Sequence, residues 1–305
     1  MPTALDQRVK SWIESSLRGE ARVRWAHHMP AATSSRMDAI EVEREGQRIE
    51  LVLRRFNDRK WLGIEPDLVA HEAAALAWAS NVNIAVPTLI AFDAEGSDCG
   101  VPATLTTKLP GAVQLKPENL SPWLFEMAAA ALEIHKLDAD GFPWTYRRFN
   151  AKSRLEVPEW SHEKDAWNTA IDVVNAPPPK SRETFIHRDY HPTNILWADD
   201  KVTGVVDWVN ACRGPAGIDV AWCRHNLANL YNVDVADEFL DAYLGVAGVE
   251  FTYEPYWDLM TVVELLPGPP TMYPGWKAEG FPTISDEDMR WRVDEYVASV
   301  VARLW

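Results

Sequence analysis

Three oxygen-bearing side chains set the first expectation for this chain. Asp189 is followed five residues later by Asn194, and thirteen residues beyond that by Asp207. A carboxylate can accept the proton of a hydroxyl nucleophile. A carboxamide oxygen and a second carboxylate are hard ligands for a cation that keeps several waters and bridges phosphate oxygens. Acid, amide and acid at this spacing are used to orient a hydroxyl while Mg²⁺ is held on the phosphates of a nucleotide. Around them, residues 184–197 read as apolar strand, polar loop, apolar strand, and after an acidic turn a third apolar strand from Val202 ends at Asp207 and Trp208. The polar groups therefore fall where strands end.

Positioning such a loop takes a scaffold on either side of a cleft. Leu5, Val9, Trp12, Ile13 and Leu17 recur at helical spacing, and Ala39 to Val42 and Ile49 to Phe56 read as strands joined by the turn at residues 43–47. Pro66 suits a first helical turn, and His71 to Trp78 is rich in good helix formers before Val86-Pro87 opens an extended segment. Val101 to Leu105 reads as a further strand, which Leu109-Pro110-Gly111 breaks, placing a hinge at residues 104–111. Beyond it the pattern turns helical: a long stripe at 120–137, a shorter one at 165–174, and later helices around 220–230, 237–245, 255–266 and 286–304. Pro177-Pro178-Pro179 is a stiff linker into the strand before Asp189. The expected fold is α+β and bilobal. It divides into a small N-lobe with an antiparallel sheet and one main helix (residues 1–103), the hinge, and a larger, mainly helical C-lobe (112–305).

Composition agrees with that plan and removes other classes. At 305 residues the chain exceeds what one hydrophobic core usually serves, which favours two subdomains with a cleft between them. Lys and Arg number 30 against 45 Asp and Glu, a formal charge of −15, so the concentrated positive charge of a nucleic-acid groove is not expected. No run approaches the length of a membrane span, and residues 1–25 lack the apolar core of a secretory signal, which points to a cytoplasmic protein without a membrane partner. Cys99, Cys212 and Cys223 lack CxxC spacing and read as buried thiols. Oligomeric state is not expressed in these patterns.

The run from His187 through Asp189 and Asn194 to Leu196, with Gly204-Val205-Val206-Asp207-Trp208 and Gly214-Pro215-Ala216-Gly217-Ile218-Asp219-Val220-Ala221, resembles the aminoglycoside phosphotransferase and choline kinase-like family, whose fold is related to that of protein kinases. The likeness extends over most of residues 20–245. It implies Asp189 as catalytic base, Asn194 and Asp207 as Mg²⁺ ligands, and Asp219 as a structural anchor. His187 is read as a packed histidine in structural support, and Arg188 as a surface or loop-bracing cation. In the N-lobe the family sets a cation on a strand against the α/β-phosphates and pairs it with a helix glutamate. Arg54 and Glu72 match those positions, with arginine in place of the usual lysine and Arg55 as the alternative if the register shifts by one. The phosphate-covering turn falls at residues 31–36 and contains no glycine, leaving Ser34 and Ser35 as its donors. Backbone groups of Thr107 and Leu109 are placed to read an adenine edge.

The resemblance implies a small-molecule kinase that uses Mg²⁺ and ATP or GTP, with a hydroxylated acceptor of the aminoglycoside, antibiotic or amine type. A choline- or homoserine-type metabolic kinase and a catalytically silent nucleotide-binding module are the alternatives. A protein kinase is disfavoured: eleven residues between Asp207 and Asp219, with no Phe-Gly after Asp207, leave no room for an extended activation segment. Of fifteen tryptophans most should lie in cores, but Trp257, Tyr273 and Trp276 fall where related enzymes collect acceptor contacts. Residues 250–305 carry ten Asp and Glu against four Lys and Arg, a balance that would draw a cationic acceptor if it faced the cleft.

Overall fold

The computed structural model describes residues 4–29, 35–151 and 153–304. Helix α1 (Gln7–Ser16) is started by the Asp6 carboxylate, which accepts the N–H groups of Arg8 and Val9. Strands β1 (Ala21–His28), β2 (Arg36–Arg44) and β3 (Gln47–Arg55) follow, then helices α2 (Arg59–Ile64) and α3 (Leu68–Ala79), then β4 (Leu89–Asp93) and β5 (Ala103–Thr107). All five strands form one antiparallel sheet in the order β1-β2-β3-β5-β4. The apolar face of α1 packs on this sheet: Val9, Trp12 and Ile13 share a core with Ile40, Val42, Leu51, Leu53 and Leu105.

Two expectations change here. Strand β1 has no counterpart in the sequence reading. It is an edge strand with Ala26 its only buried residue and a bulge between Val23 and Trp25, so it lacks a period-two apolar pattern. The segment from Thr104 to Thr107, expected in the hinge, is the end of β5 and is paired on both sides.

Strand β6 (Ala112–Val113), helices α4 (Leu120–His135) and α5 (Lys164–Asn175), strands β7 (Glu183–Ile186), β8 (Ile195–Ala198), β9 (Lys201–Val205) and β10 (Cys212–Pro215), and helices α6 (Ala216–Leu230), α7 (Val233–Ala247), α8 (Tyr256–Val262), α9 (Pro274–Ala278) and α10 (Asp286–Val301) complete the chain. Their strands make two small sheets, β10-β7 and β6-β8-β9, set against the helices. Helix α3 belongs to both halves. It is apolar on nearly every face, as a helix buried on several sides must be, and its Ala75, Leu76 and Ala79 join the helical core while Leu68 and Val69 pack on Phe56. Among the described residues no helix is long and apolar enough to cross a membrane. All three cysteines are buried free thiols, as expected.

The helical core holds a titration that stability should report. His225 on α6 is buried against Trp222 and Tyr296, with Asn229 on its ring nitrogen, and burial pulls its pKa down from 6.5 to about 4. The unfolded chain binds a proton that the fold excludes, so stability is fully present above the unfolded value and is lost as pH falls toward the folded one. Stability measured between pH 6.5 and 4.5 should fall by about 2 kcal/mol from this residue. His225→Gln should flatten that slope.

Candidate active site

Strand β7 delivers His187, Arg188 and Asp189 to the floor of the cleft, and the start of β8 and end of β9 deliver Asn194 and Asp207 beside them. The loop is bonded to the strand that carries Asp207. Val206 N–H donates to Asn194 O at 2.9 Å, and His187 Nε2 lies 2.9 Å from Val206 O. Arg188 has φ +69°, a left-handed conformation that a non-glycine residue keeps only when its surroundings impose it. The fully buried carboxylate of Asp219 does so, accepting the backbone N–H groups of His187 and Arg188 at 2.7 Å each, with His135 Nε2 at 3.1 Å. The Arg188 side chain is buried rather than at the surface. It pairs with Glu264 at 2.6 Å and lies over the rings of Tyr146 and Phe149, so it braces the loop from beneath.

The Asp189 carboxylate receives three neighbours. Trp222 Nε1 donates to Oδ1 at 2.8 Å, Asn194 Nδ2 to Oδ2 at 3.3 Å and to the backbone carbonyl at 2.8 Å, and His191 Nε2 stands 3.5 Å from Oδ1. Burial alone would raise its pKa. The His191 imidazole beside it, with His187 and the Trp222 hydrogen bond, outweighs burial and holds the group below the usual carboxylate range.

Across the cleft, Arg54 Nη1 bridges two carboxylates, Glu72 Oε1 at 2.7 Å and Asp207 Oδ1 at 2.6 Å, while Nε donates to Ser35 Oγ at 2.9 Å. Glu72 is held from its other oxygen by the Thr104 hydroxyl at 2.7 Å. The register is therefore that of Arg54. Arg55 points to the opposite face, onto Asp38 at 2.5 Å. Asp207 itself is left-handed at φ +67°, ψ +61°, which aspartate tolerates better than most residues.

Ser35, Arg54, Glu72, Thr107, Asn194 and Asp207 line one cavity of about 230 Å³, to which Leu109 and Tyr273 also contribute. Asp189 is joined to its wall through Asn194. Ser34 and residues 31–33 lie outside the described residues. Thr107 N–H is spent on Thr88 O and Lys108 N–H on Glu50 O, so neither can face a ligand. Two of the three aromatic candidates do not reach the cavity. Trp257 is 5% exposed with its ring against Gly217, and Trp276 is 2% exposed in a satellite core with Leu230 and Met289. Both follow the ordinary behaviour of large aromatics, which bury whatever ring area they can.

The sequence reading missed Trp222, Thr104 and Glu264. Trp222 alone left a trace, an indole three residues beyond Asp219 whose N–H must find a partner once the ring is packed. Among the described residues no group of three or more His, Cys, Asp and Glu could hold a metal. The oxygen donors Asn194 and Asp207 fit the partial coordination of Mg²⁺, which takes one or two protein ligands and completes its shell with waters and phosphates.

A family model described as the phosphotransferase enzyme family matches residues 33–258, from the sheet through Asp219 to α8. The chain belongs to that family. Within the described residues, every group of the phosphotransferase's cleft named above lies inside the match except Glu264 and the segment with Tyr273. A homoserine kinase of Rhizobium etli (strain CIAT 652) is 27% identical over 169 residues, 50% of this chain and 51% of that protein. The chain thus spans about half the length of the curated relatives it matches. Among solved structures, macrolide 2'-phosphotransferase MphH of Brachybacterium faecium superposes with a TM-score of 0.54 at 15% identity, covering 79% of this chain and 82% of that one. A thermostable mutant of aminoglycoside phosphotransferase APH(4)-Ia, in ternary complex with ADP and hygromycin B, superposes with a TM-score of 0.58 at 14% identity over 97% and 98%. At such identities the likeness is one of fold, and it establishes the bilobal kinase-like architecture.

Proposed function

We propose that this phosphotransferase transfers the γ-phosphoryl group of ATP or GTP to a hydroxyl of a small acceptor of the aminoglycoside, antibiotic or amine type. The observation that carries the reading is the pairing across one cleft. An ionised Asp189 is held by an indole and an amide on the floor, and an arginine is fixed between Glu72 and Asp207 on the wall. Asp189 orients the acceptor hydroxyl and takes its proton as the new O–P bond forms and the bond from the γ-phosphorus to the β,γ-bridging oxygen breaks, releasing the nucleoside diphosphate. Arg54 supplies positive charge to the phosphates, and Glu72, itself anchored by Thr104, keeps the guanidinium aimed into the cavity.

Asn194 commits its amide nitrogen to Asp189, which leaves its oxygen to join Asp207 as the protein's share of a Mg²⁺ shell. Held there by Asn194 and Asp207, the ion would supply positive charge to offset the negative charge of the transferring phosphoryl group. With the N–H groups of Thr107 and Lys108 engaged in the sheet, the base edge is assigned to the Thr107 carbonyl and the Leu109 N–H. Ser35 serves the phosphate side through Arg54.

A metabolic acceptor is the second reading, favoured by the sequence likeness to homoserine kinases over half the chain. A panel of hygromycin B, choline and L-homoserine, each with Mg–ATP and Mg–GTP, tests both. Acceptor-dependent nucleotide consumption is expected with one of these classes, and which one decides between the readings. Nucleotide binding without acceptor-dependent turnover across the panel would favour the silent module instead.

A further inference from the structure

The two oxygens of Asp189 are held unequally. Oδ1 accepts the Trp222 indole N–H at 2.8 Å, with His191 Nε2 at 3.5 Å, whereas among the described residues Oδ2 has only the long contact of 3.3 Å from Asn194. A carboxylate offers about four lone-pair sites. A strong donor on one oxygen fixes rotation of the group and leaves the other oxygen open to a hydroxyl. Trp222 stands on α6, three residues after Asp219, whose own carboxylate holds the backbone of His187 and Arg188. One turn of helix therefore sets both the path of the loop and the rotation of its acid.

We infer that Trp222 is a positioning residue for phosphoryl transfer: its indole N–H locks Asp189 so that Oδ2 faces the acceptor hydroxyl. The inference rests on Asp189 being the base. A bland alternative is that a packed indole has simply found the nearest acceptor. Two observations speak against it. Trp222 is only half-buried, so water could have met its N–H without Asp189. Its ring is also held in place from two sides, by His225 at 6.0 Å and by Phe149 at 6.5 Å in an edge-on contact. Phe149 is 55% exposed and is itself pinned by the Arg188 guanidinium, 4.0 Å from its centroid. Together these rings form a fixed aromatic margin beside Asp189.

The test is Trp222→Phe, which keeps an aromatic ring and removes the donor. Phosphoryl transfer from Mg–ATP is followed in single turnovers, to whichever of hygromycin B, choline and L-homoserine the wild type uses fastest, or to water where that is faster. The rate should fall by about 10- to 100-fold, the cost of a misplaced reacting group, with the KM for nucleotide unchanged. In an Asp189→Asn background the same substitution should cost nothing further, because groups that act as a unit are not additive. A benzothienyl isostere at position 222 reads the same loss with the shape preserved, should Trp222→Phe fold poorly. A wild-type rate in these variants, or an equal loss in both backgrounds, would overturn the inference. Full activity in Asp189→Asn alone would instead remove the proposed function.

Discussion

Asp189→Asn is expected to leave nucleotide affinity near wild type and to lower the phosphoryl-transfer rate by about 10²- to 10⁴-fold. The substitution is close to isosteric, and the carboxamide oxygen can still accept the Trp222 indole, so the loop should keep its shape. What changes is the atom facing the hydroxyl. With its oxygen turned to Trp222, the new side chain presents an NH₂ where Oδ2 stood, beside the Asn194 amide that already donates there. A donor then meets a donor, and the acceptor hydroxyl loses the group that orients it. The folded-state pKa of Asp189 is depressed, so its contribution to stability is present above the unfolded carboxylate value and is lost only as pH falls through the lower folded value. Between pH 5 and 8 the base should therefore stay ionised, and any acid limb in the rate within that window belongs to another group. An ionised Asp189 can orient the hydroxyl from the start and take its proton late, which suits a loose phosphoryl-transfer transition state with little early proton movement. Single-turnover rates alongside calorimetric Mg–ATP titration check both halves of this expectation. A variant that keeps more than a tenth of the rate sinks the assignment.

How far the sequence reaches depends on the range over which each feature is encoded. Asp189, Asn194 and Asp207 lie within nineteen residues on strand ends, and their convergence is local enough to be legible from spacing and apolar runs alone. The same holds for α1, α4, α5 and α10, whose observed bounds differ from the reading by a few residues. Arg54 and Glu72 lie eighteen positions apart on different elements, and the period-two alternation of β3 distinguishes Arg54 from Arg55 only once the sheet has a buried face. The contact of Arg54 with Asp207 spans 153 positions and has no local trace. Glu264 under Arg188 and Thr104 under Glu72 are invisible for the same reason: each is a single polar residue whose role exists only through a distant partner.

The aromatic candidates mislead in a physical way. Trp257 and Trp276 have the chemistry to stack on an acceptor, but a large ring in a helical domain gains more from full burial than from lining a wet wall, and both rings are buried. Tyr273 does reach the cavity, and its ring meets that of His191 edge-on at 6.0 Å. Trp222 had no such prior because its importance lies in one N–H, and hydrogen-bond direction is not written in hydropathy.

Asp207→Asn separates two roles that one carboxylate combines. Asparagine tolerates the left-handed backbone at this position about as well as aspartate, so the turn into Trp208 should survive. The charge does not. Mg–ATP affinity is expected to weaken by more than about tenfold, or about 1.4 kcal/mol, and turnover by about 10²- to 10³-fold, because the ion loses its charged protein ligand and the developing phosphoryl charge then loses a fixed ion. Metal-free ATP should behave oppositely. In the wild type, Arg54 is shared between two carboxylates at 2.7 and 2.6 Å, which offsets part of the positive charge it can turn toward a ligand. Removing the Asp207 charge leaves the guanidinium with Glu72 alone, so it should hold free triphosphate at least as tightly as before. Titrating ATP with and without Mg²⁺ into both proteins reads the two signs directly. Equal weakening in both titrations would mean that the substitution has merely disturbed the cleft. Unchanged Mg–ATP binding would leave Asp207 as a partner of Arg54 and nothing more, and the ion would then have to be held by phosphates and Asn194 without a protein charge. That arrangement is the harder one to stabilise, because a neutral amide offsets little of the cost of stripping water from Mg²⁺.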